Sequence, residues 1–107
     1  MNYDTRVQAN AQCTVERTVA VIGGKWTTLI LRELLSGTKR FGEMRSSLTG
    51  ISPKTLTDRL RDLEERGVLE RKIYPEVPPR VEYSLTERGQ ALRPIIEAMG
   101  AWGSRWT

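Results

Sequence analysis

The feature that most restricts what this chain can fold into is a change of apolar period at Gly67. Before it, in ISPKTLTDRLRDLEERG (residues 51–67), Leu56, Leu60 and Leu63 recur at helical spacing. After it, in VLERKIY, Leu69, Arg71 and Ile73 alternate with Glu70, Lys72 and Tyr74, the period of a strand. The helix has a marked start. Ser52 stands at the N-cap and Pro53 at the first helical position, where its missing N–H costs nothing. Glu is not found three residues after Ser52, so the start is not a full capping box. Gly67 stands where a left-handed C-terminal residue belongs.

The flanking segments add the rest of the order. CTVERTVAVI (13–22) reads as a short helix capped by Thr14, with Val15, Val19 and Ile22 on one face, ended by Gly23 and Gly24. KWTTLILRELL (25–35) is so densely apolar, through Trp26, Leu29, Ile30 and Leu34, that it should be central. FGEMRSSL (41–48) places Phe41, Met44 and Leu48 on one face, and Thr49 and Gly50 turn the chain. PEVPP breaks the alternation after Tyr74, and RVEYSL resumes it with Val81, Tyr83 and Leu85 on one face, so 69–85 reads as a hairpin. Thr86 caps a last helix over ERGQALRPIIEAMGAWGSRW, with Leu92, Ile95, Ile96, Met99, Trp102 and Trp106 as its stripe. Residues 1–12 are polar and read as an arm.

Three helices, a polar-faced fourth, a hairpin and a closing helix make the order of a winged helix-turn-helix. In that motif the second helix of the turn enters the major groove and its N-terminal residues reach base edges. At about 100° per residue the three leucines of 51–67 cluster within about 60°. Lys54, Asp58, Arg61 and Glu65 lie opposite, with Thr55, Thr57 and Arg59 on the flanks. Lys or Arg bonds guanine, Thr touches a thymine methyl, and Asp accepts from cytosine. Ser52 and the free N–H groups of the first turn suit a phosphate. On the helix alone, a solvated face held by i,i+4 ion pairs explains the same residues. The turn before it and the hairpin after it favour DNA.

Charge agrees. Of the net +4, three units fall in residues 38–72, which hold nine basic and six acidic residues. A basic segment fits nucleic acid, although a mixed-charge surface reads the same way on charge alone. Within it, Ser52, Lys54, Thr55, Arg59 and Arg61 are the candidate helix contacts, and Lys39 and Arg40 the candidates for flanking phosphates. Arg71, Lys72 and Arg80 lie towards the outer end of the hairpin; Lys72 and Arg80 are the candidate wing contacts, while Glu76 weakens the wing's basic character.

Other classes fit poorly. There is no His and one Cys, so zinc-ligand spacings, an activated Ser and an internal disulfide are all excluded, and no cofactor is expected. GGK at 23–25 lacks the rest of a phosphate loop. No apolar run is long enough to span a membrane, and the N-terminus lacks the order of a signal peptide, so a cytoplasmic protein is expected. A protein-interaction winged helix would show an acidic or apolar fourth helix. A thiol-redox enzyme would need a second Cys or a base near Cys13.

These residues carry a resemblance. CTVERTVAVIGGKWTTLILRELLSGTKRFGEMRSSLTGIS, PKTLTDRLRDLEERGVLER and YPEVPPRVEYSLTERGQAL, from Cys13 to about Leu92, resemble the HxlR-type transcriptional regulators. These are bacterial and archaeal winged-helix proteins similar to MarR-type regulators. The resemblance implies a mainly α (α+β) winged helix-turn-helix domain over 13–107, with a recognition helix at about 52–66 and a two-stranded wing at about 68–85. It implies a homodimer built through N- and C-terminal helices, binding a roughly palindromic double-stranded operator with half-sites about one 10-bp turn apart, or a multiple. Val15, Val19, Ile96, Met99, Trp102 and Trp106 are the interface candidates, unless they only roof the protomer's own core. Cys13 matches a family cysteine that in some members senses oxidants or electrophiles. A helix start near Arg17 suits such a thiol, and a small packed residue suits the position equally. With one Cys, only a Cys13–Cys13 bridge between protomers or a small-thiol adduct remains.

Overall fold

The computed structural model describes residues 13–107; the arm assigned to 1–12 lies outside the described residues. In chain order the elements are α1 (Thr14–Ile22), α2 (Lys25–Leu35), β1 (Lys39–Arg40), α3 (Phe41–Ser47), α4 (Pro53–Glu65), β2 (Leu69–Tyr74), β3 (Arg80–Leu85), α5 (Glu87–Gln90) and α6 (Arg93–Trp106). This is the expected winged-helix order, mainly helical with a small antiparallel sheet.

α2 is the centre, as its apolar density requires. Ile30, Leu31 and Leu34 are buried, and Leu56, Leu60 and Leu63 of α4 meet them together with Met44 and Leu48 of the α3 segment. The turn between α3 and α4 closes with the Ile51 N–H donating to Leu48 O at 3.1 Å. Gly50 takes φ 94° there, a conformation that costs any other residue type strain. At the head of α4 the Ser52 hydroxyl accepts the Thr55 N–H at 3.0 Å. At its tail the Gly67 N–H reaches Glu64 O at 3.0 Å and the Val68 N–H reaches Leu63 O at 2.9 Å. With Gly67 at φ 75° this is a Schellman ending, and buried Val68 supplies the apolar contact that goes with it.

The sheet has three strands in the order β1-β3-β2, all antiparallel. Leu69 faces Leu85 and Tyr74 faces Arg80, so the hairpin register follows from the alternation. The third strand was not expected. Lys39 and Arg40 pair with Tyr83 and Glu82, more than forty residues away. The outer hairpin also departs from the expected half-buried face. Leu69 is buried, whereas Ile73 is 58% exposed, because the ribbon projects beyond the core.

Two ends differ from the sequence reading. Cys13, not Thr14, is the N-cap residue of α1, and it makes no side-chain cap hydrogen bond. The closing helix is two helices. Pro94 has no N–H to offer the Gln90 carbonyl, so the helix begun at Thr86 stops at Gln90 and α6 starts at Arg93. The junction is tied to the rest. The Thr86 hydroxyl donates towards Gly67 O (2.6 Å) and Val68 O (3.1 Å) and accepts the Gly89 N–H at 3.2 Å. Arg88 Nη1 donates to Arg66 O at 2.9 Å, and Arg93 Nη2 to Leu35 O at 2.8 Å. LTERG is therefore the clasp that fastens the wing's return strand to the end of α4.

Candidate nucleic-acid interface

α4 is held by leucines on one side and by caps at both ends, so its polar face is presented on a rigid element. Ser52, Lys54, Arg59 and Arg61 are exposed and Thr55 is half-buried. Lys54 Nζ sits 2.8 Å from Asp58 Oδ2. That hydrogen bond from Lys54 is the main reason Asp58 titrates below the usual carboxylate range; the charges of Lys54, Arg61 and Arg59 add to it. Both partners are open to water, so the pair is weak and exchanges readily for a phosphate or a base. The Ser52 hydroxyl also donates to Thr55 Oγ1 at 2.9 Å.

The two arginines sit differently. Arg61 lies beside a small recess on the wing side, shared with Thr57, Glu64, Arg71 and Tyr83. It also reaches the open groove that Arg59 lines against Ala20 and Val21 of α1. Between Ser52 and Arg66 there are four basic and four acidic residues, so the helix is neutral overall. The basic excess of 38–72 comes from its flanks: Lys39, Arg40, Arg45, Arg71 and Lys72 stand against only Glu43 and Glu70. Within α4 Lys54 and Arg59 stand in the N-terminal half against Asp58 alone, whereas Arg61 is followed by Asp62, Glu64 and Glu65.

The wing carries its cations unequally. Lys72 is exposed, 5.3 Å from the Tyr74 ring. Arg80 is engaged within the ribbon: its guanidinium stacks on Tyr74 at 4.0 Å, Nη2 lies 3.2 Å from Glu76 and Nε 3.4 Å from Glu82. The acidic residue that made the wing look less basic is thus an anchor for Arg80. Lys39 and Arg40 sit at the wing's base, where the Arg40 N–H donates to Glu43 Oε1 at 2.7 Å and starts α3. Sequence reasoning did not foresee the contact between Arg71 and Glu64, 3.7 Å apart, which links the wing to α4. Tyr83 packs beside it, and burial holds its hydroxyl above the ordinary tyrosine value. No periodic signal marks such a contact, because it joins two elements.

Away from this face, α6 carries a seam of apolar residues. Ile95, Met99, Trp102 and Trp106 fall at i, i+4, i+7 and i+11, the spacing by which one helix packs along another. They are 39, 46, 64 and 63% exposed. Val15 and Val19 on α1 are exposed in the same way. Ile96 leaves the set. It is 7% exposed and belongs to the protomer's own core, and Ile95 takes its place on the seam. Cys13 is half-buried and unbridged at the start of α1.

Comparison with known proteins decides the family. Residues 21–107 match the HxlR-like helix-turn-helix family. The chain belongs to this family. Among curated relatives, an HTH-type transcriptional regulator of Synechocystis sp. is 46% identical over 98% of this chain and 78% of its own length. The HTH-type regulator YdeP of Bacillus subtilis is 48% identical over 88% and 73%. Among solved structures, the oxidized form of the redox regulator HypR superposes with a TM-score of 0.84 at 45% identity, covering 89% of this chain and 98% of that one. The diamide-treated form of YodB from B. subtilis gives 0.75 at 38%, covering 89% and 95%. This HxlR-like protein is a transcriptional regulator with a helix-turn-helix, and the family's members are regulators rather than enzymes. No helix among its described residues is long and apolar enough to cross a membrane.

Proposed function

We propose that this HxlR-like regulator acts in the cytoplasm as a homodimer that binds a roughly palindromic operator in double-stranded DNA. α4 enters the major groove, led by Ser52, Lys54, Thr55 and Arg61, with Arg59 on the flank. The wing follows the backbone or minor groove through Lys72, while Lys39 and Arg40 hold neighbouring phosphates. One observation carries the reading. A neutral helix with a cationic N-terminal half is capped and leucine-anchored, beside a basic-flanked wing linked to it through Glu64 and Arg71. Bases are read by such a helix when phosphate contacts at its flanks set the register. The α6 seam with Val15 and Val19 supports the dimer, since a chain this small leaves few large apolar side chains free without a partner.

The test is fluorescence anisotropy under reducing conditions, comparing DNA upstream of the protein's own gene with a scrambled duplex at several salt concentrations. Tight, salt-sensitive preference for the native DNA is expected. Arg61→Ala should weaken native binding more than scrambled binding; an equal loss would make Arg61 a phosphate contact. A protein that binds neither duplex at low salt would overturn the reading.

A second observation extends it to redox control. Cys13 is the only cysteine, opens α1 beside the exposed Val15, and superposable proteins include HypR and YodB in oxidized or diamide-treated forms. The proposal is that oxidation at Cys13, through a Cys13–Cys13 bridge or a small-thiol adduct, changes operator affinity. Repeating the titration after diamide treatment, with Cys13→Ser as control, tests this; a shift that persists in Cys13→Ser would refute it.

A further inference from the structure

A groove of about 380 Å³ lies on the side of the domain away from the N-terminal end of α4. It runs between α1, the C-terminal end of α4 and the α5–α6 junction. Val21, Val68 and Leu92 give it an apolar floor, and Arg17, Arg66 and Arg88 line it beside them. Among the described residues no carboxylate lines it. The larger groove next to α4 is different, because Asp58, Asp62 and Glu65 there stand against Arg59, Arg61 and Arg66.

The three arginines are not equally committed. Arg17 and Arg88 have no acidic partner among the described residues. Arg88 is held in place by its hydrogen bond to Arg66 O, which fixes a guanidinium without neutralising it. Arg66 pairs with Asp62 at 3.0 Å, and both side chains are more than a third exposed, so that pair exchanges cheaply for another anion. Guanidinium groups fork onto carboxylates with two parallel hydrogen bonds. A concave apolar floor with a few convergent polar groups is the usual form of a small-molecule site, and the volume is in the ordinary range.

We propose that this groove binds a small organic acid: a carboxylate held by Arg17, Arg66 and Arg88, with a planar apolar body on Val21, Val68 and Leu92. Such a ligand touches α1, which carries Val15 and Val19, and the cap of α4 at once. The site does not depend on DNA binding or on Cys13.

The experiment is isothermal titration of the full chain, reduced and without DNA, with 2-naphthoate and with its uncharged isostere 2-naphthamide. One naphthoate per protomer is expected, with the amide about tenfold weaker or more, since a hydrogen-bonded charge is worth at least that. Arg17→Gln and Arg88→Gln should each weaken naphthoate about tenfold and leave the amide nearly unchanged. Arg17 lies on an exposed helix face, so its variant keeps the test sound if Arg88→Gln unfolds the junction. Equal binding of acid and amide, naphthoate binding untouched by Arg17→Gln, or no heat at millimolar ligand would each overturn the assignment.

Discussion

Trp102→Glu tests the dimer more sharply than any other substitution. Trp102 is 64% exposed, so its loss removes little from the protomer core. A tryptophan side chain presents up to about 250 Å², so about 160 Å² of this one stands free. At about 25 cal/mol per Å² its burial is worth about 4 kcal/mol, or about 8 for the two copies of a twofold interface. If half of that is realised, dimer dissociation should become about a thousandfold easier, and two carboxylates in an apolar seam push further the same way. Analytical ultracentrifugation from nanomolar to micromolar protein should show a dimer for the native chain and a monomer for Trp102→Glu. Circular dichroism and the urea midpoint should stay within experimental error of the native protein. Ile96→Ala should do the opposite, lowering stability by about 2–5 kcal/mol, because Ile96 is 7% exposed and fills the protomer's own core. A native chain that is monomeric at tens of micromolar, or a Trp102→Glu protein that stays dimeric, would refute the reasoning.

Gly89→Ala should destabilise the fold by about 2 kcal/mol net of its helix-propensity gain, since the new Cβ would lie 2.2 Å from Val68 O, a backbone atom that cannot swing aside. Urea unfolding at unchanged slope reads this, and an equal or higher midpoint would contradict it. Tyr83 titrates above its usual value because burial disfavours the phenolate, so the unfolded chain ionises first and stability falls as pH rises through 10 and beyond. Tyr83→Phe should flatten that alkaline loss; an unchanged alkaline slope would mean that another group carries it. Ser52→Ala should cost about 1 kcal/mol through the lost cap on Thr55.

The ends of α2 and α4 were legible because Gly, Ser and Pro punctuate them and the leucines between keep one phase. The seam on α6 was legible as a stripe but misread by one residue. Ile95 and Ile96 stand about 100° apart on α6, and residue type does not say which of two neighbouring isoleucines the core takes; packing buries Ile96 and leaves Ile95 in phase with Met99, Trp102 and Trp106. β1 left no trace, since two residues carry no period and their partners, Tyr83 and Glu82, are remote. On the interface face, residue types were legible and their commitments were not. Arg80 and Lys72 look alike in the sequence, but only one has Glu76, Glu82 and the face of Tyr74 around it.

That contrast yields a last prediction. The salt dependence of DNA binding counts the phosphates neutralised, at about 0.9 in logarithmic slope for each contact. Lys72 is exposed and forms no ion pair among the described residues, so Lys72→Ala should lower the slope of a dimer by about 2. Arg80 has its charge answered by Glu76 and Glu82 and a buried Nε, so it has little left to give a phosphate. Arg80→Ala should leave the slope unchanged. It should instead weaken binding at every salt concentration by loosening the ribbon, since two carboxylates lose their partner and Tyr74 loses its cover. Protease cleavage at the hairpin would then be faster in Arg80→Ala than in Lys72→Ala. A slope that falls equally in the two variants would show that Arg80 leaves its carboxylates for DNA, and the wing would then be a cationic probe with an internal parking place rather than a braced ribbon with one free lysine.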